Sequence, residues 1–209
     1  MEKQNKMKKE IFYHSPVTIG MIFLLFFFAF LAILIIISPC ESSDVEVYKA
    51  ILSADCRVSE VLKTSQNADN YYGLAGLSYE EGDYNGVENY CKIARGYYLD
   101  ESQEYRKIKA DLKNKGLDNE LIDIYIKRLD ALIEISEDMY EACEHFESAA
   151  RYYDIYYNTD VSFDDISLDM ANGEIEMMNE KISAHDRAVR RFNDLLADFE
   201  IKIEEKING

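Results

Sequence analysis

The side chains that could hold a metal or act as nucleophiles are few: three histidines and four cysteines in 209 residues. His14 and His185 stand apart in the sequence. His145 follows Glu141 by four residues, one helical turn, so both could face one cation. A chain with 40 Asp and Glu residues produces such a pair by composition alone, so no metal site is expected there. The Glu-x-x-His pattern of di-iron bundles is missing, because Ala142 and Ile182 stand at the required acid positions. The sequence contains no His-Glu-x-x-His, Cys-x-x-Cys, Gly-x-Ser-x-Gly or phosphate-cradling glycine loop. The expectation is therefore no catalytic, cofactor or metal site, and no enzyme. Glu134, Glu137, Asp138, Glu141 and Glu144 lack a neighbouring cluster of bases and read as a solvated helix face.

Cys40, Cys56, Cys91 and Cys143 permit three full pairings, and spacing does not choose among them. Cys91 and Cys143 fall at apolar helical positions, where a free thiol packs as a small hydrophobe. The tyrosines are the more distinctive resource. Tyr97, Tyr98, Tyr152, Tyr153 and Tyr156 form pairs and near-pairs whose rings offer large contact area with a polar handle, a composition enriched at protein interfaces. They are the candidate partner-binding residues, with packing between helices as the competing use. The net charge of −17 repels phosphate backbones and excludes nucleic acid as a natural partner.

Residues 17–37 read VTIGMIFLLFFFAFLAILIII, without a charge. As a helix they span about 30 Å, the hydrocarbon thickness of a bilayer. Lys3, Lys6, Lys8 and Lys9 precede this run and Glu41, Asp44 and Glu46 follow it, which keeps the N-terminus cytoplasmic and sends the rest across. A cleaved signal peptide would carry a shorter apolar region, about 7–15 residues, and a small-residue cleavage site. Cys40 has Pro39 before it where a lipobox needs Gly, Ala or Ser. The expected organisation is a basic cytoplasmic tail (1–16), a single-pass anchor (17–38) and an acidic extracytoplasmic domain in two regions, 41–118 and 119–209.

With only 2 Pro and 9 Gly, that domain reads as all-α. Val45, Tyr48, Ile51, Leu52, Val58, Val61 and Leu62 repeat at helical spacing, with Ser43 or Asp44 as cap and an end expected at Ser65-Gln66-Asn67. Next, Tyr71, Leu74, Ala75, then Gly82-Asp83-Tyr84, then Val87, Tyr90 and Ala94 pair large and small residues on two short helices joined by a tight turn. Over residues 69–99 this resembles a tetratricopeptide repeat, an antiparallel helix pair of about 34 residues. The resemblance implies a left-handed turn at Gly82 and a well-buried Tyr84 packed into the next helix. Val87 replaces the usual Ala, Ser78 the usual Tyr, and the closing Pro is absent. One period on, Gly116 occupies the corresponding turn, but Lys109 and Arg128 stand where small residues belong. One good and one degenerate unit do not close a superhelix, so another element must cover them.

That element is a coiled-coil hairpin. Tyr125, Leu129, Leu132, Ser136, Met139, Cys143, Phe146, Ala150, Tyr153 and Tyr157 follow a heptad stripe. A second stripe runs Leu168, Ala171, Ile175, Met178, Ile182, His185, Val189, Phe192, Leu196, Phe199, Ile203. Asn158-Thr159-Asp160 breaks between them and Ser162 caps the second helix, making the two antiparallel, with Met139 near Ile182. Heptad seams also join separate chains, so a homo-oligomeric stalk is the alternative use. The resemblance implies protein interaction or scaffolding, which with the apolar 17–37 run makes the expected protein a membrane-anchored interaction module. The competing reading is a helical sensor ectodomain that binds a small ligand.

Overall fold

The computed structural model describes residues 42–158 and 164–208. The tail, the apolar run, Cys40, the Thr159-Asp160 break and the Ser162 cap all lie outside the described residues. Four helices follow in order: α1 (Ser42–Glu81), α2 (Tyr84–Asn114), α3 (Glu120–Asn158) and α4 (Asp164–Asn208). The all-α class is as expected. No helix among the described residues is long and apolar enough to cross a membrane.

The α1–α2 turn is built from its residue types. Gly82 adopts φ 77°, a backbone region that costs a residue with a Cβ about 1–2 kcal/mol. Its N–H donates to the Tyr79 carbonyl and that of Asp83 to the Ser78 carbonyl, the paired bonds that close a helix C-terminus. The Asp83 carboxylate then accepts from Gly86 N–H at 2.9 Å and caps α2. Gly116, at φ 63°, ends α2 in the same left-handed region. Asn119 Oδ1 accepts from Leu121 N–H and caps α3.

Two sequence expectations are corrected here. α1 runs unbroken through Ser65-Gln66-Asn67 for 40 residues. Weak helix formers there are overridden because Ala68 is wholly buried and Ser65 is bonded to α2. Tyr84 is half-buried: its ring stacks on Tyr153 and Tyr157 beside the α1–α2 turn.

Each helix packs antiparallel on the next in chain order, and α1 also touches α3. Cross-links step evenly along α3 and α4: Glu120–Lys202, Glu134–Arg191, Glu141–Lys181, Glu174–His145 and Asn172–Tyr153. In this register Met139 and Ile182 pack in one cluster, as the heptads require. The α3 stripe from Tyr125 to Tyr153 is buried; Tyr157 alone of it is exposed. α3 buries other faces too, through Leu121, Ile124, Ala131, Ala142 and Ala149, because α2 and α1 cover them. The hairpin is thus the element that covers the α1–α2 pair.

Two apolar cores result, each drawing on all four helices. One, at the end holding the α1 N-terminus, centres on Ile51, Val58, Ile108, Leu121, Leu129 and Phe199. The other, toward the Gly82 turn, is rich in alanine and aromatics: Ala75, Val87, Ala94, Phe146, Ala150 and Met178. In the first, Arg128 is buried, with its guanidinium 4.9 Å from the Tyr125 ring centroid, 5.2 Å from Phe199 and 5.4 Å from Phe192. A bulky cation stands where the repeat pattern wants a small residue because three aromatic faces receive it.

In thermal melts of the full-length chain, Gly82→Ala should lose about 1–2 kcal/mol through its backbone angle alone, since an added Cβ meets nothing within 4 Å. Tyr84→Ala should cost a similar amount, about 1–2 kcal/mol, well short of the loss from a fully buried ring. A Gly82→Ala chain that melts like wild type would remove the left-handed turn from this account.

Candidate functional site

A polar layer separates the two cores. On α2 the inward stripe runs Val87, Cys91, Ala94, Tyr98, Glu101, Tyr105, Ile108, Leu112, at alternating steps of four and three. Glu101 occupies a core position in that series and is only 4% exposed. One carboxyl oxygen accepts from Ser65 of α1 at 3.2 Å and from Ser136 of α3 at 3.3 Å. The other, Oε1, is buried without a hydrogen-bond partner. Beside it, Asp69 of α1 accepts from the Tyr98 hydroxyl at 2.8 Å. His185 of α4 faces the layer, acts electrostatically on Asp69, and lies 3.5 Å from the Ile135 carbonyl.

Burial and the nearby Asp69 charge push the Glu101 carboxyl up to about 8, against the two serine hydrogen bonds. Burial also raises Asp69, opposed by the Tyr98 hydroxyl and the His185 charge. Two buried acids this close favour holding a proton at neutral pH. The layer can therefore store and release one proton, and a neutral Glu101 gains an O–H to offer. An acid on the α2 apolar stripe was the sequence signal for this site, and it becomes visible only when the stripe is followed through residue 101.

The acid-rich face of α3 is not a plain solvated surface, which corrects the sequence expectation. Glu134 pairs with Arg191, Glu137 with Arg106, Glu141 with Lys181 and Glu144 with Arg95. The bases come from α2 and α4, so no local charge pattern could announce them. Deeper, the buried Glu147 holds Arg95 at 2.7 Å and also Arg151. Arg95 lies over the Tyr140 ring and donates to its hydroxyl at 2.9 Å. The His145–Glu141 pair does not form: His145 Nδ1 lies 2.7 Å from Glu174 and Glu141 goes to Lys181. Among the described residues no group of three or more His, Cys, Asp and Glu could hold a metal.

The five candidate tyrosines divide by burial. Tyr98 and Tyr153 lie in the core, bonded to Asp69 and Asn172. Tyr97, Tyr152 and Tyr156 are half-buried, with Tyr97 stacked on Tyr71 and Tyr156 edge-on to Tyr157. Tyr71 and Tyr90, absent from that set, complete a stacked strip with Tyr97 along the α1–α2 edge. Leu74 and Ile93, each three residues further along its helix, are exposed beside it.

The described chain defines an antiparallel all-α array with a buried acidic layer and a half-buried tyrosine strip flanked by exposed aliphatics. No protein-family model, curated protein or solved structure matches it.

The raised Glu101 value gives stability a definite pH dependence. Between the ordinary 4.5 and about 8, the folded chain keeps a proton that the unfolded chain releases, so stability falls as pH rises through that window. Glu101→Gln should melt higher than wild type at pH 8, by roughly 5 °C, and lose melting temperature less steeply from pH 5 to pH 8. Identical slopes for the two chains would mean Glu101 ionises normally.

Proposed function

We propose that the chain is a membrane-anchored interaction module, its apolar 17–37 run holding an acidic helical platform on the extracytoplasmic side for contact with another protein. The observation that carries this reading is the strip along the α1–α2 edge. There Tyr71, Tyr90 and Tyr97 stack in series, and Leu74 and Ile93 stand 39% and 42% exposed beside them. Aromatic rings flanked by exposed aliphatics on a rigid helix pair suit a protein partner, since they present apolar area already ordered. The lysines before the apolar run and the acids after it support the orientation. The likeness of residues 69–99 to a tetratricopeptide repeat supports the scaffolding role, because repeats of that family bind peptides and proteins.

A photo-cross-linking residue placed at Ile93 or Leu74 in intact cells should give discrete adducts. The same residue at exposed Arg190 on α4 should give none, and Leu74→Asp should abolish the Ile93 adducts without lowering helicity. Protease added outside the cells should digest the platform and spare the N-terminal tail. Adducts as frequent at Arg190 as at Ile93 would remove the strip from its role, and a platform protected from external protease would reverse the topology.

A further inference from the structure

Cys91 of α2 and Cys143 of α3 are both wholly buried and belong to the same apolar core. The register of the two helices brings them together. Arg95 bonds Tyr140 across the interface. From that bond, one turn back along α2 reaches Cys91 and one turn forward along antiparallel α3 reaches Cys143. The Arg151–Glu88 pair continues the same register further toward the Gly82 turn. The two buried thiols are near enough to interact electrostatically, burial together with Cys91 pushing the Cys143 thiol up, and both act on the buried Tyr72 hydroxyl. Ala94 and Ala142, wholly buried in the same core, place small residues at this level of the α2–α3 interface, where a short cross-link needs the backbones near each other. Cys56, by contrast, is exposed on α1.

We propose that Cys91 and Cys143 are a cross-helix dithiol that closes to a disulfide by exchange with a disulfide oxidant as the bundle folds. One thiolate attacks a sulfur of the oxidant and expels its first thiol. The second thiolate then attacks the mixed disulfide and expels the other. Two cysteine S–H bonds and one oxidant disulfide become one protein disulfide and two oxidant thiols, so electrons and protons balance. Both sulfurs are sealed from solvent in the finished fold, so exchange takes place while α2 and α3 are still apart. The redox environment at the time of folding is thereby recorded in the core. The bond ties the α2–α3 interface close to the tyrosine strip and leaves Cys56 free. The dithiol rests on the α2–α3 register and the shared burial of the two thiols; only its oxidation in the cell rests on the extracytoplasmic placement.

The test uses the full-length chain in detergent, unfolded and refolded in oxidised and reduced glutathione, then alkylated and mapped by non-reducing peptide mass spectrometry. The expected result is a linked peptide joining Cys91 to Cys143. It should come with a melting temperature roughly 10 °C above that of the reduced chain, reversed by unfolding in reductant. Cys91→Ala and Cys143→Ala should each abolish the redox dependence of the melt; if either fails to fold, the wild-type map decides. A linkage through Cys56 or Cys40, or four free thiols after oxidative refolding, would overturn the dithiol. A Cys91–Cys143 bond in the refolded chain but not in chain alkylated at cell lysis would leave the dithiol standing and remove the extracytoplasmic placement.

Discussion

A carboxyl group in the middle of the bundle constrains everything around it. Glu101 cannot be moved one turn along its helix without losing both serine hydroxyls that meet it, at a cost in desolvation of a buried carboxyl. Ser65 from α1 and Ser136 from α3 meet it at one level only, which aligns three helices along their axes. Apolar stripes alone do this poorly, because Leu, Ile and Ala layers slide past one another with small penalties. The two cores on either side supply the bulk of the stabilisation, and the layer between them specifies how the helices are staggered.

The ion pairs follow from that stagger. Those linking the acids of α3 to α2 and α4 are half-exposed, and each contributes little to stability, on the order of 0–1 kcal/mol. Their collective value is specificity: with the register slipped, Glu134, Glu137, Glu141 and Glu144 would face each other's repulsion instead of Arg191, Arg106, Lys181 and Arg95. Glu147 is different, being buried between two arginines, where the loss of one partner strands a charge. An acidic chain of net charge −17 therefore sets many of its bases against acids of neighbouring helices, at half-exposed helix boundaries.

The same rigidity bears on the proposed role. Long helices locked in one register hold Tyr71, Tyr90 and Tyr97 in a fixed series, so a partner meets a surface whose ordering has already been completed during folding. The proposed thiol pair lies in the core beneath that edge, Cys91 following Tyr90 on α2, where closing a bond would stiffen the helix that presents the strip.

By itself the sequence determined the local structure and most of the inward faces. Glycine positions 82 and 116 marked left-handed turns because only a residue without Cβ adopts that conformation cheaply. The heptad stripe of α3 marked its buried face because period decides which side chains share a side. It could not show that Ser65–Asn67 continues a helix, because packing on α2 outweighs the local preference. Nor could it supply the bases for Glu134 or Glu137, the aromatic seat of Arg128, or the neighbours that make Glu101 hold its proton. Those depend on residues far apart in the chain, such as Asp55 with Tyr125 or Arg57 with Asp111, that meet only when four amphipathic faces close on one another. Periodicity states that a face will be covered; only the tertiary arrangement decides by what.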